Sequence, residues 1–421
     1  MSLAIVGGGW AGLAAAVQAT RTGHCVTVIE AARTLGGRAR RVVADDGLVL
    51  DNGQHILVGA YRATLALMRE LGVDLDAALL RLPLALRFPD GGGLSVPAGV
   101  RPPLDLLAGI AGAQGWSLRD KFSLVRISLR WRARGFRCAP GDSVAALCEG
   151  LTPRVMDELI APLCVSALNV PAERASGAVF LRVLHDALFA ERGGADLLLP
   201  RVDLGALLPD PAAQWLGAHG ASIRTGRRVQ AIAPGASGWM VDGEPFDRVL
   251  LAAPPWESAR LARGTALPQA VAWAEEADAL DHEAIATVYL RGTPGLPGAP
   301  LRALRHGRGA PAQFVFDRGA LGGPAGLAAL VVSASEGTRE AIEAQGLAQA
   351  RAQLGWHGAV PLRTIVEKRA TFACTPDVRR PPTHVAPGLA ACGDYVDGPY
   401  PATLEGAVLS GQAAAAAMAA P

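Results

Sequence analysis

The first thirty residues carry two short apolar runs on either side of an alanine-rich stretch. Residues 3–6 and 25–29 are apolar and of strand length, whereas residues 13–20 are rich in alanine and end before Gly23. Short apolar runs predict strands, and a longer alanine-rich stretch predicts a helix. The pattern therefore predicts a strand, a glycine-rich turn, a helix and a second strand.

Related patterns return in the second half of the chain. Residues 220–232 lead into a hairpin pattern whose turn is Asp242-Gly243. Residues 389–392 predict a strand, and residues 403–417 predict a final alanine-rich helix.

A helical stripe of apolar residues begins at residue 118. The stripe contains Leu118, Phe122, Val125 and Leu129, and Arg119, Arg126 and Arg130 lie on its flank. Before it, residues 100–112 form an apolar stretch that is broken by proline. Such a segment either packs on the core as an ordinary amphipathic helix or lies on an anionic bilayer surface.

The composition excludes several classes of protein. The 421 residues include 40 Lys plus Arg against 38 Asp plus Glu, without a strongly basic domain, so we expect no nucleic-acid partner. The six cysteines form no CxxC pair and have no metal-type spacing with the eight histidines, so we expect no metal and a cytoplasmic protein. No apolar stretch reaches the ~20 residues of a membrane span. Membrane contact is therefore expected to be peripheral, on the inner face of the cytoplasmic membrane.

The turn after the first strand carries Gly7, Gly9 and Gly12 in the spacing GxGxxG. Gly7 permits the sharp turn, Gly9 lets a pyrophosphate approach the backbone, and Gly12 lets the helix pack closely on the strand. Glu30 ends the second strand, where it can accept hydrogen bonds from a ribose diol and repel a 2′-phosphate. The motif predicts a dinucleotide site that disfavours NADP.

Residues 30–38 extend this motif as ExxRxxGGR. The extension resembles the flavin-containing amine oxidase and phytoene desaturase superfamily, in which the dinucleotide is FAD. The resemblance implies an α/β fold with a Rossmann-type FAD-binding domain, in which Gly37 and Arg38 lie near the pyrophosphate or the ribityl chain. It implies a discontinuous FAD domain of residues 1–80, 200–258 and 375–421, and an inserted α+β substrate domain of residues 81–199 and 259–374.

The same resemblance assigns cofactor contacts along the rest of the chain. The polar segment DNGQH, residues 51–55, would pass beside the isoalloxazine ring, although its sequence alone also allows a surface turn. Val229 would give a backbone contact to the adenine, Asp394 would bond the ribityl chain or order the pyrophosphate region, and the final helix would face the flavin pyrimidine. The cofactor residues implied outside the first motif are Gly53, Gln54, His55, Val229, Gly393, Asp394, Thr403 and Leu404.

Longer sequence segments give a closer resemblance than the glycine motif does. Residues 51–72, 161–184, 196–216, 367–377 and 393–411 resemble the hydroxysqualene dehydroxylases, also called squalene-associated FAD-dependent desaturases, of bacterial hopanoid biosynthesis. One departure is Ile160, where a tryptophan is expected two residues before Pro162. The resemblance implies a lipophilic C30 isoprenoid substrate and the reduction of hydroxysqualene to squalene. An acid would protonate the allylic hydroxyl so that water leaves, and hydride from N5 of reduced FAD would quench the cation.

The resemblance brings two loops to the flavin, and both hold candidate proton donors. We favour His55, with Tyr400 second, while Asp51 is a candidate that could instead cap its own turn. Tyr395 and Asp397 lie in the same loop as Tyr400. No second glycine fingerprint follows a strand, so we expect an external electron donor instead of a nicotinamide domain.

Other functions stay open. A carotenoid or phytoene desaturase would run the flavin in the oxidative direction, and the glycine motifs do not exclude it. A non-enzymatic isoprenoid carrier could be built on the same fold, as in the Rab escort and dissociation-inhibitor proteins. An amine oxidase is disfavoured because the chain has only four tyrosines, which makes an aromatic cage at the flavin hard to assemble. The implied C30 substrate favours the membrane-surface interpretation of residues 118–137.

Overall fold

A computed structural model of the chain describes residues 1–44, 46–97, 99–100, 104–188 and 192–419. The first hundred residues form β1 (Ser2–Val6), α1 (Trp10–Arg21), β2 (Cys25–Ile29), β3 (Arg41–Val43), β4 (Val49–Asp51), β5 (Leu57–Val58), α2 (Arg62–Glu70), α3 (Leu75–Ala78), β6 (Leu79–Leu82), β7 (Ala85–Arg87) and β8 (Gly93–Ser95). A helical region follows, with α4 (Leu104–Ala111), α5 (Leu118–Ala133), α6 (Val144–Leu147), α7 (Pro153–Val155), a π-helical turn (Met156–Ile160), α8 (Ala161–Leu168) and α9 (Gly177–Leu188).

The second half of the chain mixes strands and helices. It forms β9 (Leu197–Pro200), α10 (Leu204–Leu207), α11 (Pro209–Ala218), β10 (Ser222–Arg224), β11 (Ile232–Gly235), β12 (Gly238–Val241), β13 (Glu244–Phe246), β14 (Arg248–Leu251), α12 (Pro255–Gly264), α13 (Pro268–Asp278) and β15 (His282–Arg291). It ends with β16 (Leu301–Ala303), β17 (Phe314–Asp317), β18 (Ala328–Ser333), α14 (Arg339–Leu354), β19 (Val360–Phe372), β20 (His384–Ala386), β21 (Leu389–Ala391) and α15 (Leu404–Ala419).

Six strands form the central sheet in the order β10, β2, β1, β14, β21, β20. The neighbouring pairs are parallel except for β20 with β21. The alanine-rich helix α1 packs on β1 and β2 and also contacts α15. A Cβ on Gly411 of α15 would lie 2.1 Å from the carbonyl oxygen of Ala11, so the missing side chain allows the two helices to approach closely. The sheet therefore joins three segments that are distant in sequence: residues 2–29, 222–251 and 384–391.

Five antiparallel strands form a second sheet in the order β16, β17, β18, β15, β19. Successive side chains of a strand point to opposite faces. On one face of β15, Ala286, Val288 and Leu290 are buried in a cluster that includes side chains of α14. On the other face, Ile285 and Tyr289 pack in a cluster that also contains side chains of the central sheet. The second sheet therefore directs one face towards the central sheet.

The structure confirms the predicted α/β class with a parallel sheet. The predicted strands at residues 3–6 and 25–29 correspond to β1 and β2. The predicted hairpin turn is also confirmed, since Asp242 and Gly243 both have the positive φ that a type I′ turn needs.

The bounds of three predicted elements differ from the structure. The first helix begins at Trp10 instead of residue 13, because Gly9 is extended and acts as its N-cap. The final strand ends at Ala391, one residue early, and the final helix spans Leu404–Ala419. The boundaries proposed for the two domains stay a prediction.

Candidate active site

The turn from β1 into α1 needs glycine at two of its three motif positions. Gly7 has a φ of +119°, and a Cβ there would lie 2.5 Å from the carbonyl oxygen of Ala252. A Cβ on Gly12 would lie 2.0 Å from the carbonyl oxygen of Gly7. Real Cβ atoms do not approach backbone so closely, so both glycines are required by the fold itself.

Gly9 differs from the other two because the protein alone does not require it. Its φ of −76° is accessible to every residue type. The nearest atom to a Cβ on Gly9 would be the Cα of Gly37, at an ordinary distance of 3.7 Å. The absent side chain leaves room in front of the α1 N-terminus, whose unpaired N–H groups favour an anion. This arrangement fits the pyrophosphate of a dinucleotide.

Glu30 closes the other side of the glycine turn. Its Oε2 accepts a hydrogen bond from the N–H of Gly8 at 2.6 Å, and its Oε1 accepts one from Ala32 at 2.7 Å. Each carboxylate oxygen has a second lone pair, which suits a ribose diol. Glu30 therefore orders the turn as well as being placed for the predicted ribose contact.

Arg38 and Asp394, both predicted cofactor residues, form an ion pair in the structure. The guanidinium of Arg38 also donates to the carbonyl oxygen of Ala370 at 2.7 Å. Burial by itself would lower the pKa of Arg38, but the adjacent carboxylate of Asp394 outweighs burial and raises it. The structure thus joins the GGR motif directly to the segment after β21.

The N-terminus of α15 is held by side chains of its own loop. Thr403 Oγ1 accepts from the N–H of Gly406 at 2.9 Å and donates to the carbonyl oxygen of Tyr400 at 2.8 Å. The N–H of Gly393 donates to Ser410 Oγ at 3.1 Å, so the start of the loop is tied to the same helix. Leu404 is the first residue of α15 and is partly buried.

Glu405 is a positioning residue that the sequence analysis missed. Its buried carboxylate accepts hydrogen bonds from the N–H groups of Ala63 and Thr64 and from Thr64 Oγ1, at 2.7 to 2.9 Å. These groups belong to the first turn of α2, which follows the DNGQH segment. Glu405 therefore fixes α15 to the segment that carries His55. Its partners lie about 340 positions away, so no local sequence signal identifies it.

The DNGQH segment contains polar atoms without a protein partner. Gly53 has a φ of +91°, which favours glycine, and bends the chain after β4. Both side-chain polar atoms of Gln54 are buried, and neither has a hydrogen-bond partner within the described residues. Buried amides are normally satisfied, so such orphans indicate a group that binds there. Gln54 fits the prediction of a flavin ring beside this segment.

His55 is half-buried next to Gly53, and its Nδ1 lies 3.2 Å from the Gly53 carbonyl oxygen. A carbonyl oxygen can only accept, so Nδ1 carries the proton and Nε2 of the neutral ring has a lone pair. Burial lowers the pKa of His55; the Gly53 carbonyl opposes this, and the charge of Arg38 adds to it. At neutral pH the ring is therefore neutral, and its acid form grows as the pH falls.

Asp51 links four separate parts of the chain. Its Oδ1 accepts from the N–H of Leu204 at 2.8 Å, and its Oδ2 lies 3.8 Å from Nη2 of Arg318. The hydroxyl of Tyr289 accepts from the N–H of Asp51 and donates to its carbonyl oxygen at 2.9 Å. The Asp51 carboxylate therefore binds the first N–H of α10, whose N-cap is Asp203, instead of capping its own turn. A part for this carboxyl group in the chemistry stays a prediction.

Replacing Asp51 with Asn is expected to change how stability depends on pH. Burial raises the pKa of Asp51 from 3.8 to about 6, against the opposing hydrogen bond from Leu204. Because the pKa of Asp51 is higher in the folded than in the unfolded protein, its protonation stabilises the fold. This contribution to the free energy of unfolding, about 3 kcal/mol, is complete below about pH 4 and is lost as the pH rises through 6. Thermal melts should therefore show that the melting temperature of the variant, relative to that of the wild type, is higher at pH 7.5 than at pH 4.5. An equal difference at both pH values would contradict this.

Tyr400, the second candidate donor, is bonded to an acid on α9. Its hydroxyl donates to Asp186 Oδ2 at 2.9 Å, and Asp186 Oδ1 lies 2.7 Å from Nδ1 of His185. Burial and the bond to Asp186 raise the pKa of Tyr400. The hydroxyl proton is thus directed at Asp186, and Tyr400 must turn before it can give that proton to another acceptor.

Val229 follows a segment that is bonded to Glu30, the residue after β2. The neighbouring N–H of Arg227 donates to the carbonyl oxygen of Glu30 at 2.9 Å. Val229 is buried, and its carbonyl oxygen accepts from Arg260 Nη2 at 2.7 Å. The backbone contact of Val229 to adenine stays a prediction.

Cys164 is a buried thiol of the inserted region. Burial raises the pKa of Cys164 to about 12, so its thiol is protonated and unreactive at neutral pH. Within the described ranges, no group of three or more His, Cys, Asp or Glu side chains is arranged to hold a metal ion.

Comparison with known proteins identifies related sequences over almost the whole chain. The model of the flavin-containing amine oxidoreductase family matches residues 10–419. The hydroxysqualene dehydroxylase of Rhodopseudomonas palustris is 30% identical over 438 residues, which cover 98% of this chain and 96% of that protein. A zeta-carotene desaturase of Synechocystis is 39% identical over 79 residues, which cover 19% of this chain and 16% of that protein.

A solved structure gives the same result for the fold. Cyclohexylamine oxidase from Brevibacterium oxydans superimposes with a TM-score of 0.68, covering 99% of this chain and 98% of that chain at 17% identity. At this identity the likeness extends to the fold alone.

Proposed function

The chain belongs to the flavin-containing amine oxidoreductase family and is an FAD-dependent oxidoreductase, and on this premise we propose that it reduces hydroxysqualene to squalene. The observation that carries the proposal is the similarity to a hydroxysqualene dehydroxylase over 98% of the chain. The similarity to a carotene desaturase extends over 19% of the chain, so it gives less support for a shared substrate.

The lining of the second sheet supports a hydrocarbon substrate. On the face that looks towards the central sheet, Ile285 of β15 lies among apolar side chains of the adjoining strands. Val331 of β18, Phe314 of β17 and Ile365 of β19 belong to the same apolar cluster. Such a surface suits a long hydrocarbon, which gains free energy when its apolar surface leaves water.

His55 is the group that we propose to protonate the leaving hydroxyl. When bound, reduced FAD supplies hydride to the carbon from which the hydroxyl departs. In its acid form, His55 keeps Nδ1 bonded to Gly53 and can release the proton from Nε2. The hydrogen bond to Gly53 fixes the plane of the ring, so the proton is delivered in one direction. The electrons come from an external donor in this proposal.

A single-turnover experiment tests the proposed reaction. Enzyme whose FAD has been reduced chemically is mixed with hydroxysqualene without oxygen, and squalene and oxidised flavin are measured together. One squalene per flavin is expected, with the flavin absorbance returning at the same rate. Phytoene with the oxidised enzyme serves as the parallel reaction. Desaturated product from phytoene, without squalene from hydroxysqualene, would replace this proposal with a desaturase.

The surface of α4 and α5 supports a peripheral membrane contact. Leu118, Phe122 and Leu129, from the stripe predicted on α5, are 85%, 70% and 60% exposed, and Leu104 and Leu107 of α4 are also exposed. The opposite side of α5, which contains Leu124, Ile127 and Trp131, packs in the core. Leu118, Phe122 and Leu129 thus do not face the core, whereas Val125 of the same stripe is half-buried and packs against it. Residues 101–103, within the apolar stretch predicted before this helix, lie outside the described residues.

Charge complements this apolar surface. Arg119, Arg126 and Arg130 of α5 flank the stripe and are exposed. An exposed apolar stripe beside cations is the arrangement that binds an anionic bilayer. No helix in the described part of the chain is both long and apolar enough to span a bilayer. We therefore propose that α4 and α5 rest on the membrane surface from which the substrate is taken.

Replacing Leu118, Phe122 and Leu129 together with Ser is expected to release the protein from vesicles that contain phosphatidylglycerol. Each substitution removes apolar surface that would enter the bilayer, and the binding free energy falls by about 25 cal/mol for each Å² lost. Vesicle co-sedimentation at low salt measures the effect. The matched control replaces three exposed valines from other surfaces, Val43, Val49 and Val360, with Ser. Equal binding of the two triple variants would contradict the proposed surface.

A further inference from the structure

Thr287 is a polar residue in the middle of an apolar surface. It lies on β15 between Ile285 and Tyr289, on the face of the second sheet that looks towards the central sheet. Its partners across the adjoining strands are Val331 of β18 and Ile365 of β19. Directly opposed residues of antiparallel strands have side chains on the same face. The hydroxyl of Thr287 is therefore flanked on both sides by hydrocarbon.

The hydroxyl of Thr287 has no hydrogen-bond partner within the described residues, although the residue is only 1% exposed. The hydroxyl of Tyr289, two positions along the same face, is satisfied by the backbone of Asp51. A buried hydroxyl without a partner destabilises the fold, and valine would fill the same space without that cost. A structural role alone does not explain a threonine here.

The position of Thr287 connects it to the candidate active site. A Cβ built on Gly53 would lie 3.8 Å from Thr287 Oγ1 and 3.7 Å from Cε1 of His55. The hydroxyl and the imidazole ring therefore border the same small region beside the backbone of Gly53. The unpartnered amide of Gln54 belongs to the next residue. Two polar groups thus meet beside Gly53 within the apolar surface.

We propose that Thr287 binds the hydroxyl group of the substrate and orients it next to His55. The ligand class is a long hydrocarbon with a single hydroxyl group, because the surroundings of Thr287 offer one hydrogen bond within an apolar wall. A hydrocarbon without oxygen would leave this hydroxyl unsatisfied. The inference rests on the proposed function and adds to it a residue that distinguishes the alcohol from its deoxygenated product.

The test compares the binding of alcohol and hydrocarbon to the oxidised holoenzyme. Perturbation of the flavin absorbance gives the Kd for hydroxysqualene and for squalene in the wild type, Thr287→Val and Thr287→Ser. The Val variant should bind hydroxysqualene about 10-fold more weakly and squalene as well as the wild type does, because one hydrogen bond is lost. The Ser variant, which keeps the hydroxyl, should retain most of the preference. An equal change for both ligands would overturn the inference.

Stability gives a second readout that does not depend on turnover. Thr287→Val removes an unsatisfied buried hydroxyl, so its melting temperature should equal or exceed that of the wild type. A threonine with a structural partner would instead give a lower melting temperature, and that result also overturns the inference. Thr287→Ala lacks the hydroxyl as well and supports the same binding comparison if the Val variant does not accumulate.

The inference and the proposed function can fail separately. The wild type could bind hydroxysqualene more tightly than squalene, lose this preference in Thr287→Val, and yet form no squalene. That result would overturn the proposed reaction and support the binding role of Thr287. Enzyme that forms squalene while Thr287→Val keeps the full preference for the alcohol would overturn the binding role and leave the reaction in place.

Discussion

The Gly9→Val protein is expected to fold and to contain almost no FAD. The backbone of Gly9 is extended, and a Cβ there has no protein atom closer than 3.7 Å, so the chain itself tolerates a side chain. The same side chain would occupy the space in front of the α1 N-terminus, where the pyrophosphate has to approach the backbone. Flavin absorbance per mole of purified protein measures the loss.

Gly12→Ala is the matched control within the same motif. Its Cβ would lie 2.0 Å from the carbonyl oxygen of Gly7, so this variant should fail to fold even though the added group is smaller. The melting temperature of Gly9→Val has to be compared with wild type stripped of FAD, because bound cofactor itself adds stability. A Gly9→Val protein with full flavin content would place the pyrophosphate elsewhere.

The His55→Phe enzyme is expected to keep its FAD and lose turnover by roughly 10²–10⁴-fold, the usual contribution of a general acid. Hydride cannot reach carbon until the hydroxyl becomes a leaving group, so flavin should stay reduced in the presence of hydroxysqualene. Turnover is measured per bound flavin, which removes the effect of any lost cofactor. Tyr400→Phe tests the rival donor. A normal rate per flavin in His55→Phe would return His55 to a structural role in its loop.

The pH dependence separates His55 from Asp51. Because burial lowers the pKa of His55, its acid form increases as the pH falls below the ordinary histidine range. The rate of a single turnover should therefore rise from pH 8 towards pH 5.5 in the wild type and stay flat in His55→Phe. Asp51 titrates near pH 6 and could give a similar rise. In Asp51→Asn the rise should persist, and its disappearance would assign the proton to Asp51.

Local patterns were sufficient to predict the first βαβ unit. Gly12 is fixed by the carbonyl oxygen of Gly7, and β1, α1 and β2 follow from short-range periodicity. The contact that requires Gly7, with the carbonyl oxygen of Ala252, is not local. The resemblance of the ExxRxxGGR motif then indicated FAD. Apart from the contact of Gly7 with Ala252, this part of the site could be predicted because its physical requirements lie within about thirty residues of one another.

The remaining contacts depend on partners that no local pattern reveals. Arg38 meets Asp394 across 356 positions, and Glu405 meets Thr64 across 341. The hydroxyl of Thr287 lies between apolar side chains because of the register of β15 with β18 and β19. Periodicity along the sequence does not determine that register.

The helix α5 shows a further limit of sequence patterns. It has two apolar sets of residues. Only the structure shows that Leu124, Ile127 and Trp131 face the core, and that Leu118, Phe122 and Leu129 face outwards.

The order of strands in the central sheet also constrains when the cofactor can be acquired during synthesis. β14 lies between β1 and β21, so the sheet is incomplete until the ribosome has released residues 384–391. The loop after β21 carries Asp394, and α15 carries Glu405, so neither the partner of Arg38 nor the anchor of α2 exists before then. Long-range pairings of this kind form late and slowly. A nascent chain should therefore bind FAD only after β20, β21 and α15 have left the ribosome, and flavin content should report their synthesis.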